Sequence, residues 1–319
     1  MRGYMIGSIS RWAAPTTALL AFAIGLPASA ANRVWVSGHG VDQAGCGAPT
    51  APCRSLQYSL DHIVAAGGEI DILDPAGYGA ITITKAVSIV NDGVGTAGVQ
   101  ATSGAAITVN AGVSDAVYLR GLSVDGVLRA GSNGLDLQAA GSLTVDHCVF
   151  RHFLQNGVEL LPTSTDKVKL LIKDTDLSDN STGLTVQPGD AAGVAGAVDH
   201  VVANANANDG FSLDGSFTTG SIKIAITNSL ATNSVSAGVH VESNNANMVV
   251  TMDSDTATAN GTGLDVRTHG VVHLARSVLN QNLDGIFMSG GGTVFTSGDN
   301  QINGDPSPLI GTLTPEALQ

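Results

Sequence analysis

Apolar residues recur along this chain in a fixed phase. A glycine followed by apolar, any residue, apolar occurs seven times: Gly134-Leu135-Asp136-Leu137, Gly157-Val158-Glu159-Leu160, Gly183-Leu184-Thr185-Val186, Gly210-Phe211-Ser212-Leu213, Gly238-Val239-His240-Val241, Gly263-Leu264-Asp265-Val266 and Gly285-Ile286-Phe287-Met288. The intervals are 23, 26, 27, 28, 25 and 22 residues. Eleven or twelve residues before each of the last six glycines stands another aliphatic: Val145, Ile172, Val198, Ile226, Met252 and Leu274. Alternation with period two marks strands, not helices. Strands this short bury an apolar face only by stacking on equivalent strands of neighbouring repeats, about 4.8 Å apart. Each repeat therefore predicts one coil of a solenoid with at least two strands, and an interior column at each apolar position.

The coil length varies. A left-handed hexapeptide helix keeps a rigid six-residue phase, and a leucine-rich repeat shows its own Leu/Asn spacing. A coil of 22–28 residues suits a right-handed parallel β-helix, whose turns absorb insertions. Asn180, Asn260 and Asn282 precede their glycines by three, with Asn206, Asn208 and Asn233 nearby. Asn tolerates the left-handed backbone of a sharp turn, and stacked Asn side chains can hydrogen-bond along the axis.

Before the coils, Leu56, Leu60, Ile63 and Val64 predict an amphipathic helix of about twelve residues, a cap over the open end of the core. Gly67-Gly68 ends it, and strands begin with Glu69-Ile70-Asp71-Ile72-Leu73. Residues 1–30 read as a leader: Arg2 and Arg11, an apolar run over 16–26, then Pro27 and Ala28-Ser29-Ala30, with cleavage after Ala30 or Ala31. The predicted organisation is a signal peptide at 1–30, an N-terminal cap at 31–68, β-helix coils at 69–303 and a C-terminal tail or cap at 304–319. Cys46 and Cys53 lie in a Gly/Pro-rich loop, where a disulfide would staple a segment with little core of its own; Cys148 reads as a buried packing residue. The expected location is secreted or periplasmic, with no membrane span once the leader is gone.

Composition narrows the partners. Charged residues are 13% and aromatics 4% of the 319, and Lys+Arg number 14 against 27 Asp+Glu. That balance gives no electrostatic basis for nucleic-acid binding. Removing the leader removes two Arg and no acid, so the exported chain carries −15 and repels polyuronates unless Ca2+ bridges them. Only Trp35, Tyr58, Tyr78 and Tyr118 remain as Trp and Tyr, all before the main coils, which counts against a ring-lined sugar groove.

The segment Trp35-Val36-Ser37-Gly38 with Gly40 and Asp42, then Pro52-Cys53-Arg54-Ser55-Leu56-Gln57, a helix and Gly67-Gly68-Glu69-Ile70-Asp71-Ile72 resembles the opening of exported bacterial proteins of the pectate-lyase-like, right-handed β-helix superfamily. The later coils resemble that superfamily's degenerate repeats. The resemblance implies an all-β, right-handed parallel β-helix with a short capping helix. It implies little about activity, because the fold hosts lyases, hydrolases, epimerases, tail-spike proteins and adhesins.

Candidate chemistry follows from the outward columns. Two residues after each glycine stand Asp136, Glu159, Thr185, Ser212, His240, Asp265 and Phe287; four after stand Gln138, Leu161, Gln187, Asp214, Glu242, Arg267 and Ser289. Asp136 and Glu159 on adjacent coils place two carboxyls about 5 Å apart, a separation used by retaining glycosidases. Such a pair can also bind Ca2+, or simply face solvent. His240 beside Asp265, and Glu242 beside Arg267, with Asp214 one coil earlier, form the best candidate for proton transfer and anion binding, or two ordinary cross-strand ion pairs. Val145-Asp146-His147 and Val198-Asp199-His200 repeat one triplet, but neighbours in a strand face opposite ways, so neither is expected to form a dyad. Asp174/Asp176 and Asp253/Asp255 have the spacing of same-face acids able to hold a cation. Gly38-His39-Gly40 and Asn282-Leu283-Asp284-Gly285 echo polygalacturonase elements, yet the paired Asp and the Arg-Ile-Lys strand of that family are missing. The sequence best fits a non-catalytic surface or envelope protein that binds glycans or other partners, with no required cofactor. The alternatives are a polysaccharide-active lyase, hydrolase or epimerase using the His240 region, and a structural, self-associating β-helix.

Overall fold

The computed structural model describes residues 32–163, 165, 167–244 and 247–316. The predicted leader lies outside the described residues. The strands form three sheets, all of parallel pairs. Sheet I has twelve strands, from Arg33–Val36 to Thr314–Pro315; sheets II and III have ten each, from Ile81–Ile83 to Ser307–Ile310 and from Ala76–Gly77 to Gln301–Asn303. One coil runs Leu135–Ala139 in sheet II, Ser142–Asp146 in sheet I and Val149–Arg151 in sheet III, then returns to sheet II at Asn156–Leu160. The result is a right-handed parallel β-helix of about nine turns.

The predicted columns are the observed register. Leu135 pairs with Val158, Val158 with Leu184, Leu184 with Phe211, Phe211 with Val239, Val239 with Leu264 and Leu264 with Ile286. Every member of that column is at most 1% exposed. Val145, Ile172, Val198, Ile226, Met252 and Leu274 form the matching column of sheet I. Sheet III was not foreseen. Its strands are three residues long in most coils and bury one side chain each (Phe150, Leu177, Ala203, Ala231, Ala257, Leu279), too short for alternation to show.

The repeated glycines are required by space. None of the seven has a positive φ. A Cβ on Gly157 would sit 2.7 Å from the Gly183 carbonyl oxygen, and one on Gly183 would sit 2.5 Å from that of Gly210. It would also strike the side chain of a buried Asn: Asn180 Nδ2 lies 2.8 Å from the Cβ position of Gly157. Those Asn form the predicted ladder. Asn180 Oδ1 accepts from Phe153 N–H at 3.1 Å, Asn206 Oδ1 from Asn180 N–H at 3.0 Å, Asn260 Oδ1 from Ser234 N–H at 2.9 Å and Asn282 Oδ1 from Asn260 N–H at 3.0 Å. The left-handed residue is the one before each rung (Asp179, Ala205, Asn233, Ala259 and Gln281), not the ladder Asn itself.

The N-terminal helix covers only Leu56–His62, shorter than predicted. Ser55 caps it by accepting from Tyr58 N–H, and Leu56 and Leu60 are buried. At Ile63 the backbone leaves the helix, and Val64 packs against the first coil through a turn at Gly67, φ +76°. Two boundaries also move. The strand Arg33–Val36, assigned to the cap, already pairs with Gly68–Ile72 in sheet I. The tail contributes Ser307–Ile310 to sheet II and Thr314–Pro315 to sheet I, so it extends the solenoid. Cys46 and Cys53 form the disulfide, with Cα atoms 5.0 Å apart. Cys148 is buried, and burial pushes its thiol up to about 12, which makes it inert at neutral pH. No helix among the described residues is long and apolar enough to cross a membrane.

Candidate functional site

Strands Ala237–Glu242 and Thr262–Arg267 of sheet II set His240 opposite Asp265 and Glu242 opposite Arg267. His240 Nδ1 lies 3.2 Å from Asp265 Oδ2, and its Nε2 lies 3.6 Å from Glu242 Oε2. The imidazole is thus held between two carboxylates. Arg267 does not pair with Glu242 as expected. It folds back along its own strand and grips Asp265 with Nη2 at 2.8 Å and Nε at 3.0 Å, its guanidinium 5.7 Å over the Phe287 ring. Asp265 is the stronger magnet because it is only 3% exposed, where charge is poorly screened. Glu242 instead accepts from Thr268 Oγ1 at 3.1 Å. Burial alone would lower the His240 pKa, but the hydrogen bond and charge of Asp265 outweigh it and raise the value above the ordinary one. Burial would raise Asp265; its bonds to His240 and Arg267 hold it low. The arrangement stabilises an imidazolium that can donate a proton. Asp214 is the register partner of Glu242, but its carboxylate is engaged elsewhere: it accepts from Gln187 Nε2 of the preceding coil at 2.7 Å and from Ser216 N–H at 2.8 Å.

Asp136 and Glu159 are register partners on adjacent strands of the same sheet, Glu159 three strands from the one that carries His240. Glu159 accepts from Asn156 Nδ2 at 2.8 Å and Asn133 Nδ2 at 2.6 Å. Asp136 Oδ2 accepts from Gln138 at 3.0 Å, while its Oδ1 is buried with no partner among the described residues. Burial and then the charge of Asp136 raise the Glu159 pKa. The donors are all oxygen, a set that suits a hard cation such as Ca2+, but each Glu159 oxygen already accepts from an amide.

One grouping escaped sequence reasoning and a second was misjudged by it. The first is basic. Four of the five lysines, Lys167, Lys169, Lys173 and Lys223, lie on the outer side of sheet I. Lys169 and Lys223 share one column through Ala195. Lys167, Lys169 and Lys223 are exposed and enter no ion pair among the described residues. Between them stand the small outward residues Ala195 and Ala197, and beside Lys223 a shallow depression of about 320 Å³ is lined by Gly196, Lys223, Ile224, Ala225, Val249 and Thr251. The signal was present as Lys at alternate positions of Lys167–Lys173, all facing one way in a strand.

The second is the pair of Asp–His triplets. His147 and His200 are not in strands; they sit at the corner after sheet I with φ of 52° and 53°. That left-handed turn swings each ring back onto its own neighbour. His147 Nδ1 meets Asp146 Oδ1 at 2.5 Å, and His200 Nδ1 meets Asp199 Oδ2 at 2.9 Å. The dyads judged unformed therefore exist. Asp146, 1% exposed, also accepts from Tyr118 Oη at 2.7 Å and pairs with Arg120 and Lys173. These contacts overcome the cost of its burial and hold its pKa down to about 2. Of the two Asp-x-Asp pairs, Asp253 and Asp255 do not share a face: Asp253 pairs with Arg276, while Asp255 turns inward and accepts from Ser229 N–H at 2.9 Å; Asp174 and Asp176 line one depression.

Three parallel sheets wound around one core, a corner ladder of Asn and a capping helix make up a parallel β-helix, the fold that pectate lyases also have. The solved structures similar to it include the pectate lyase Pel9A, with a TM-score of 0.57 and 16% identity over 83% of this chain and 74% of that one. An alginate lyase from Paenibacillus sp. str. FPU-7 has a TM-score of 0.57 and 13% identity over 78% of this chain and 93% of that one. No protein-family model matches the sequence. No curated protein is significantly similar to it.

Proposed function

We propose that this is an exported glycan-binding β-helix protein that holds anionic polysaccharide across the outer face of sheet I. The carrying observation is the lysine face: in a chain with a net charge of −13, four of five lysines converge on one sheet, and three of them have no acidic partner among the described residues. Lys169 and Lys223 stand two coils apart, about 9.6 Å by strand spacing. A polymer with regularly spaced carboxylates can engage both, passing over the small residues Ala195 and Ala197 and the depression beside Lys223. The expected repulsion of polyuronates by net charge applies to the far field; at this face the local sign is reversed. Pectate and alginate, the polymers named for the two similar structures, are polyanions of this kind. The disulfide agrees with an oxidising, extracytoplasmic location.

Binding is tested by calorimetry with polygalacturonate, alginate and neutral dextran. The expected result is binding of the two polyanions only, weakened by salt and by at least about tenfold in the double variant Lys169→Glu, Lys223→Glu. Equal binding of dextran, or no effect of the charge reversal, refutes the proposal. A second reading, cleavage at His240, is favoured by the raised imidazole pKa between Asp265 and Glu242. It requires product release from a polysaccharide that is lost in His240→Ala.

A further inference from the structure

We propose that Asn303 is a site of spontaneous covalent modification, where the chain deamidates to isoaspartate and loosens its last described coil. The sequence contains four Asn-Gly pairs: Asn133-Gly134, Asn156-Gly157, Asn260-Gly261 and Asn303-Gly304. A glycine after an asparagine leaves its own backbone nitrogen unshielded, so that nitrogen can attack the side-chain amide. The Gly304 nitrogen gives up its proton as it bonds to Asn303 Cγ. The Cγ–Nδ2 bond breaks, and the departing NH2 takes a proton and leaves as ammonia. Water then opens the five-membered imide at either carbonyl and gives Asp or isoaspartate. Solvent is the only co-reactant.

The fold protects three of the four pairs. Asn133 is 6% exposed; its Nδ2 donates to Glu159, its Oδ1 accepts from Asn156 N–H, and Gly134 N–H donates to the Asn156 carbonyl at 2.9 Å. Asn156 donates to Glu159 at 2.8 Å and accepts from Thr185 Oγ1 at 2.8 Å. Asn260 is a ladder rung, 4% exposed, and Gly261 N–H donates to the Ser234 carbonyl at 3.1 Å. Cyclisation at any of these requires the coil to open first. Asn303 differs on each count. It ends the strand Gln301–Asn303, the last described strand of sheet III, on which no further described coil stacks. Asn303 and Gly304 are both exposed. Among the described residues neither the Asn303 side chain nor Gly304 N–H makes a hydrogen bond. A free nucleophile and a free amide thus stand side by side.

The product matters because of the anchors on either side. Asn300 Oδ1 accepts from Ser277 N–H at 2.8 Å, and Asp305 Oδ1 accepts from Asn282 N–H at 2.6 Å as the last rung of the corner ladder. Isoaspartate routes the backbone through Cβ and so adds a main-chain atom between these two anchors. Both cannot then keep their register, and this coil frays while the inner rungs hold. This inference does not depend on the lysine face or on any glycan.

The test is ageing of the whole chain in mildly alkaline buffer at physiological temperature, followed by peptide mass mapping and an isoaspartate assay. The peptide with Asn303 gains about one mass unit at least about tenfold faster than the peptides with Asn133, Asn156 or Asn260, and in guanidinium all four react at similar rates. Asn303→Gln removes the fast reaction and melts with the wild type. Hydrogen exchange at the Ser277 and Asn282 amides quickens in the aged protein, with Asn180 and Asn260 unchanged. It does not quicken in freshly prepared Asn303→Asp, which adds the charge without the extra backbone atom. Equal rates at the four sites in the folded chain, a difference that persists in guanidinium, or unchanged exchange after ageing overturns the proposal.

Discussion

The Asn ladder misses one rung. Position 234 carries Ser, and its buried Oγ has no partner among the described residues, so the Asn206 N–H gains no acceptor there. Ser234→Asn supplies both halves of a rung. Its carbonyl would accept from Asn206 N–H, and its amide would donate to the Ala203 carbonyl, as Asn206 does to Leu177 at 3.0 Å and Asn260 to Ala231 at 3.0 Å. Room exists: Gly210 stands where Gly157 and Gly238 face ladder amides, yet only Ala231 and Ala203 lie near its Cβ position beside the next Gly carbonyl. Two bonds at about 1 kcal/mol each, less about 0.5–1 kcal/mol for fixing the side chain, leave a gain of about 1 kcal/mol. The converse change, Asn260→Ser, removes the acceptor of Ser234 N–H and the donors to Ala231 and Asn282, and should cost about 2–4 kcal/mol. Solenoids can unfold in parts, so the local readout matters as much as the melting curve. Hydrogen exchange at the Asn206 amide should slow in Ser234→Asn, with a rise of a few degrees at most in Tm. A variant that melts lower, with Asn206 no better protected, would refute the additive view of the ladder.

Two further outcomes follow from the same stacking. Gly183→Ala places a Cβ 2.5 Å from the Gly210 carbonyl oxygen and should destabilise by about 2–3 kcal/mol or more in urea denaturation, whereas Gly189→Ala, with its nearest neighbour at 3.6 Å, should be near neutral. Asp255, 3% exposed, has its pKa raised to about 7 by burial, with backbone N–H bonds from Ser229 and Asp253 pulling the other way. The folded state then holds a proton that the unfolded chain gives up near pH 4, so stability is greatest at acid pH and falls as pH rises through 7, by about 3 kcal/mol from pH 5 to 8. Asp255→Ser, the residue of that column at 229 and 277, should flatten that contribution; an unchanged pH slope would contradict it.

The interior of the coils was legible because it obeys period two over several residues. Leu135 to Ile286 could be placed in one column from spacing alone, since a stack that buries only apolar side chains allows one register. Sheet III was not legible, because a strand that buries one Ala among three residues has no pattern to read. His240 and Asp265 were correctly set side by side, but the choice of Arg267 for Asp265 over Glu242 depends on burial, which spacing does not report. The Asp146–His147 dyad was misjudged because strand alternation was carried one residue past the strand's end. The lysine face was missed because Lys169 and Lys223 are 54 positions apart and meet only through the coil between them.

The amino-acid sequence by itself determined the solenoid: the coil length, the core columns and the disulfide loop all follow from local pattern and composition. The tertiary structure alone decided the surface. Each face gathers residues from coils more than twenty positions apart, and each corner residue takes its direction from one backbone torsion. Burying apolar side chains dictates which residues point inward, and so it is written in periodicity. What the outward residues do together depends on distances between coils, and those exist only once the chain is wound.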